Sequence, residues 1–224
     1  MAQRKRKSTP SLGTMLIVTA TEAEAVFFSQ MRKDCRFSNL TVTFSGATTL
    51  KDHINFTAKA KFRDRFDTAY ALFGFDDVNT NIEEVKQAEE LCASKRIGLC
   101  YFNPSFHLWI YLHLAKPSSF IVSSLPMEKA LADKIPGYAM SVEYLMTKGL
   151  NLHMTLFPRH AVADLNAREY NLIAEQATGF RATNMPQLNA EITRICGQAD
   201  MSHNTKVFKE NREPAGKPGR LSHN

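Results

Sequence analysis

The residues of this chain best suited to chemistry are two acidic clusters, two histidines and an Asn-Pro step. Glu22 and Glu24 follow the run Met15-Leu16-Ile17-Val18-Thr19, and Asp76 and Asp77 follow the run from Thr68 to Phe75. Each run is short, apolar and stopped by polar residues, which is the pattern of a buried strand. If these strands are parallel, both clusters reach the same carboxyl edge of one sheet, where ligands and catalytic groups of open α/β folds collect. Two or three carboxylates with waters could hold Mg²⁺ there. The same acids also suit plain capping: Glu22 and Glu24 fall in a first helical turn, and Asp76, Asp77 or Asn79 could cap the next helix.

A third polar cluster lies in the stretch Leu99 to His113, which carries the only tryptophan, Trp109. Gly98 to Phe102 reads as a strand stopped by Asn103-Pro104. Pro104 suits a first helical turn, after which Phe106, Trp109, Ile110 and His113 recur at helical spacing. Asn103, His107 and His113 thus stand at or near the strand's carboxyl end. His107 or His113 could move a proton, but a histidine beside Trp109 and Phe106 is also an ordinary hydrogen-bonded packing residue. Trp109 itself reads as core.

The elements that must position these residues alternate. Strands at Met15–Thr19, Leu40–Phe44, Thr68–Phe75 and Ile97–Phe102 are separated by helical patterns over 22–33, 52–65 and 81–94. Thr41 and Thr43 between Leu40, Val42 and Phe44 put the second strand at the sheet periphery. The order predicts an α/β fold with a mostly parallel sheet flanked by helices. Beyond a loop over 117–124, helices are expected over 127–134, 142–148, 159–178 and 185–196, with Gly179 as a C-cap. The expected organisation is a basic tail over 1–14, an α/β domain over 15–116, an α-helical extension over 117–202 and a second basic tail over 203–224.

The formal charge of +6 sits in the ends. Arg4, Lys5, Arg6 and Lys7 meet no acid before residue 15, and Lys206, Lys209, Arg212, Lys217 and Arg220 outnumber Glu210 and Glu213. These polar segments should be disordered and could hold nucleic acid through phosphates. No apolar run approaches the roughly 20 residues of a membrane helix, and no signal-like cleavage pattern follows the basic N-terminus, so a cytoplasmic location is expected. Cys35, Cys92, Cys100 and Cys196 are scattered without a Cys-x-x-Cys pair and read as small buried thiols. Phosphate-binding and dinucleotide-binding glycine loops, a Gly-x-Ser-x-Gly elbow and zinc-ligand spacing are all missing, which argues against those enzyme classes.

Five segments carry a resemblance: Met15-Leu16-Ile17-Val18, Phe27-Phe28-Ser29-Gln30-Met31-Arg32-Lys33, Ala71-Leu72-Phe73-Gly74-Phe75-Asp76-Asp77, Asn103-Pro104-Ser105-Phe106-His107-Leu108-Trp109, and Ile135-Pro136-Gly137-Tyr138. Ala182-Thr183-Asn184-Met185-Pro186-Gln187-Leu188 is a weaker echo. On these, the chain from Met15 to about Ile195 resembles the RloB-like family, and its order of strands and acids resembles a Toprim domain. The resemblance implies a Toprim fold and a phage-defence protein acting as a metal-dependent nuclease on DNA or RNA, with Mg²⁺ or Mn²⁺. The helical extension could dock a defence ATPase or a second copy of the chain.

The sequence departs from the Toprim pattern in three places. The Glu expected just after the first strand is replaced by Thr19, Ala20 or Thr21, the Asp-x-Asp reads Gly74-Phe75-Asp76, and the family's acid between Phe106 and Leu108 is His107. Fewer carboxylates weaken cation affinity. Two accounts follow. In one, Asp76 and Asp77 bind one Mg²⁺, Glu22 or Glu24 serves as general acid or base, and His107 or His113 assists. In the other, the chain is a degenerate relative that binds nucleic acid or a partner.

Overall fold

The computed structural model describes residues 13–204. Four strands, β1 (Met15–Thr19), β2 (Leu40–Phe44), β3 (Thr68–Gly74) and β4 (Gly98–Phe102), form one sheet in the order β2-β1-β3-β4. Every pairing is parallel. Parallel neighbours need long crossovers, supplied here by α1 (Glu22–Asp34), α2 (Leu50–Asp64) and α3 (Ile82–Lys95). After β4 come α4 (His107–Leu112), α5 (Ser124–Lys134), α6 (Val142–Met146), α7 (Leu152–Leu156), α8 (His160–Thr178) and α9 (Met185–Cys196), with short 3-10 turns at Phe157–Arg159 and Ser202–Asn204.

Side-chain alternation along the strands builds two layers. Met15, Ile17, Leu72, Cys100 and Phe102 face Phe27, Phe28 and Met31 of α1, Trp109 of α4, Tyr170 of α8 and Leu188 of α9. Leu16, Val18, Ala71 and Phe73 face Ile54 of α2 and Val85 and Cys92 of α3. Central β1 is buried throughout, whereas β2 keeps only Leu40 buried, as its threonines at a sheet edge require. All four cysteines are buried free thiols.

The opposite edge, β4, is covered by chain. Phe102 bridges antiparallel to Thr183, and the Asn103 N–H donates to the Ala182 carbonyl at 2.8 Å. The Asn184 side chain accepts from Tyr101 N at 2.9 Å and donates to the Leu99 carbonyl at 2.8 Å. Asn171 on α8 holds this strap: its Oδ1 accepts from the N–H groups of Ala182 and Thr183, and its Nδ2 donates to the Thr183 carbonyl. The faint motif over 182–188 is thus the cover of the sheet edge and the entry to α9.

Some boundaries differ from expectation. Pro104 does not open a helical turn; the Asn103–Pro104 peptide is cis and α4 starts at His107. The N–H groups of Phe75 and Asp76 donate to the carbonyls of Phe102 and Pro104 at 2.9 and 3.0 Å, so this backbone runs on beside the β3 turn instead of coiling. α6 ends at Met146, and α7 is too short to show a period in sequence. Thr14 N and Oγ1 donate to Asp67 Oδ2 at 2.7 and 3.0 Å, and Ser202–Asn204 form a 3-10 turn, so these few residues next to the expected tails are tied to the folded body. The rest of both tails, where disorder is expected, lies outside the described residues. Among the described residues no helix is long and apolar enough to cross a membrane.

Because Asn171 satisfies three buried backbone groups of the strap, Asn171→Ala should cost about 3 kcal/mol. Urea denaturation at unchanged m-value checks this; a loss below about 1 kcal/mol would show that the strap is not held there.

Candidate functional site at the carboxyl edge of the sheet

From β1 the chain crosses to β2 on one side, while β3 and β4 build the other, so the topological switch point lies between the carboxyl ends of β1 and β3. The residues that follow these two strands meet there. Thr21 caps α1, its Oγ1 accepting from Glu24 N at 3.3 Å while Glu24 Oε2 accepts from Thr21 N at 3.1 Å. This reciprocal box needs its acid at the third helical position. It therefore turns Glu24 inward, 1% exposed, and leaves Glu22 at the surface.

The second oxygen, Glu24 Oε1, is buried without a hydrogen-bond partner. Burial, and then the negative charge of Asp77, push the Glu24 carboxyl well above the usual carboxylate range. Asp77 is half-buried, and its Oδ2 accepts from Gly74 N at 3.1 Å. Its pKa is also raised, by burial first and further by Asp76, against the lowering effect of the Gly74 bond.

Gly74 makes this arrangement possible. A Cβ there would run into Asp77 Oδ2 and stand 2.8 Å from the Ser105 Cα. The strand end that lacks an acid of its own is thus filled by a carboxylate folding back from three residues on. Ser105, 4% exposed, has a buried Oγ without a partner beside the same strand end.

Asp76 points elsewhere. It is exposed and accepts from Ser124 Oγ and from Ser124 N at 3.3 Å, so it anchors the start of α5. His107 sits at the rim with Nδ1 2.8 Å from Tyr138 Oη. Burial lowers the His107 pKa, against the opposing charges of Glu128 and Asp76. His113 lies deeper, 2% exposed, its Nδ1 donating to the Trp109 carbonyl at 2.8 Å and its ring against Trp109 and His160. Burial first, and then neighbouring cationic groups, push its pKa down to about 3. Asn103 is half-buried, tied through its backbone to the strap.

The structure therefore brings Glu24 and Asp77 near enough for their charges to oppose each other, with the charge of Asp76 reaching both Asp77 and His107, and keeps Glu22 at the surface and His113 in the α4–α8 core. Ser105 and Tyr138 stand within the quoted Asn-Pro and Ile-Pro-Gly-Tyr segments, whereas Ser124 had no sequence signal. Among the described residues no group of three or more His, Cys, Asp or Glu side chains forms a metal-holding cluster. The donor set at the switch point is the Glu24–Asp77 pair.

An all-parallel α/β sheet with paired acids at its switch point defines the class of protein. The family model for RloB-like proteins matches residues 15–192, and the chain belongs to that family. Nothing among curated proteins or solved structures matches it.

A carboxyl whose folded pKa is raised adds stability below its unfolded value, and that stability is lost as pH rises through the folded value. Glu24→Gln keeps an acceptor for Thr21 N but cannot ionise. In chelator, the variant should match wild type near about pH 4 and exceed it by a margin that grows as pH rises above that. Denaturant unfolding across pH checks this; a constant difference would mean Glu24 carries no buried charge.

Proposed function

We propose that this RloB-family chain is a Toprim-like phage-defence protein that cleaves phosphodiester bonds of nucleic acid with the help of Mg²⁺. The observation that carries the reading is the buried Glu24, its Oε1 unpartnered and its charge opposed by Asp77. Two carboxylates brought together out of water are stabilised by a shared proton or by a cation. Mg²⁺ takes one or two protein carboxylates and completes its shell with waters and phosphate oxygens, so the pair fits one such ion, and Mn²⁺ equally.

In this reading Glu24 and Asp77 hold the ion, whose charge, when bound, would stabilise negative charge on a transferring phosphate. Glu24, in the first turn of α1, takes the role that the Toprim pattern gives to an acid just after the first strand, a position held here by Thr19, Ala20 or Thr21. Asp77 occupies the space that the pattern's first Asp, at the position of Gly74, would otherwise need. His107, with a lowered pKa, is neutral near pH 7 and able to accept a proton, and Tyr138 fixes its ring. Asp76 contributes its charge at the rim while holding α5 in place.

The second reading is a binding module that has lost catalysis; it is favoured by a donor set of only two carboxylates. Purified protein assayed on plasmid, single-stranded DNA and bulk tRNA with Mg²⁺ or Mn²⁺ separates the two. The nuclease reading expects cleavage that falls at least about 100-fold in both Glu24→Gln and Asp77→Asn. Binding without cleavage by wild type would establish the module instead, and cleavage indifferent to both substitutions would place the site elsewhere.

A further inference from the structure

The crossover helices run against the strands, so their carboxyl ends gather at the amino edge of the sheet, remote from the paired acids. Three consecutive helices end there on an arginine in the left-handed region: Arg36 after α1 (φ 57°), Arg65 after α2 (φ 57°) and Arg96 after α3 (φ 54°). Glycine or asparagine adopts that conformation most cheaply. Basic residues within a last helical turn are explained by the helix dipole, which accounts for Lys61, Arg63 and Lys95. Arg36 pairs with Asp200 at 3.4 Å, but the dipole does not account for Arg65 and Arg96, placed beyond the turn at a conformational cost, nor for Phe62, 88% exposed in their midst.

Lys61, Phe62, Arg63, Arg65, Lys95 and Arg96 help line one depression of about 590 Å³. Lys61 Nζ donates to the Arg96 carbonyl at 2.5 Å and ties the two loops together. The acids nearby are occupied: Asp64 pairs with Arg63 at 2.7 Å, and Asp67 accepts from Thr14. Among the described residues no carboxylate pairs with Arg65, Lys95 or Arg96.

We propose that this amino-edge patch is a second, non-catalytic binding site for single-stranded nucleic acid. Arg65, Lys95 and Arg96 meet backbone phosphates, and Phe62 offers its face to an unpaired base. The combination of a positive groove and an exposed aromatic ring is what single-strand binding without sequence readout requires. A lipid surface would use the charge but gives no reason for one ring set among guanidinium groups at a concave site.

The test measures binding of the full chain to a fluorescent oligothymidylate of about 20 nucleotides by anisotropy, in chelator so that the carboxyl edge cannot contribute through a metal. Arg65→Gly/Arg96→Gly removes two charges while supplying the residue the backbone prefers, so the thermal midpoint should be unchanged or raised. Affinity should fall at least about 10-fold, and the slope of log K against log salt should flatten by about 1.4, since each phosphate contact on a single strand contributes about 0.7. Phe62→Ala should weaken binding about 5-fold or more with the slope unchanged. Glu24→Gln should bind as wild type, which separates this proposal from the carboxyl-edge reading. Wild-type affinity in the folded double variant, or binding to anionic lipid vesicles in place of the oligonucleotide, would overturn it.

Discussion

Burial of one carboxylate against another at the switch point of the sheet is the constraint around which this structure is arranged. Glu24 is drawn inward by its hydrogen bonds with Thr21, and Asp77 is held by Gly74 N, so each acid is fixed by backbone groups at a strand end. Glu24 cannot turn to water without breaking its capping box. The result is a site in which like charge is concentrated by the geometry of two strand-to-helix turns rather than by flexible side chains.

The rest of the fold supports that geometry. The 102–104 backbone is hydrogen-bonded to the turn carrying Asp76, and Asp76 in turn fixes the start of α5. The strap over 182–184 closes the exposed side of β4 and is itself fixed by Asn171. Phe27, Phe28, Phe102 and Phe106 of the core pack edge-on or tilted, with ring centroids 5.1–5.6 Å apart. A stiff aromatic core and a covered edge leave the switch point as the place where polar groups accumulate. The molecule thus has opposed acids at one edge of its sheet and a basic depression at the other.

Much of this was legible in the sequence, and the reasons are physical. Runs such as Met15–Thr19 and Thr68–Gly74 are buried on both faces and read as strands from apolarity alone, and the threonines of β2 marked an edge. The Thr-x-x-Glu spacing of a capping box was present at Thr21–Glu24, yet spacing cannot say whether the acid that completes the box faces solvent or core. That depends on what α1 packs against. Gly74 stood out as a missing acid, but only the packing shows that its lack of a side chain admits Asp77. His113 showed helical spacing identical to that of a site residue; its burial against Trp109 and His160 is a tertiary fact. Ser124 could not be found, because its partner Asp76 is 48 residues away in the chain.

The most direct measurement of the central claim is calorimetric titration of the full chain with Mg²⁺ at about pH 6 in buffers of different ionisation enthalpy, which counts protons exchanged on binding. Burial and mutual repulsion favour the protonated form of these carboxyls, and a cation favours the ionised form, so metal entry is coupled to proton release. The account predicts saturable binding with net proton release, and loss of both in Glu24→Gln. Binding without proton release, or binding that survives Glu24→Gln unchanged, would contradict it.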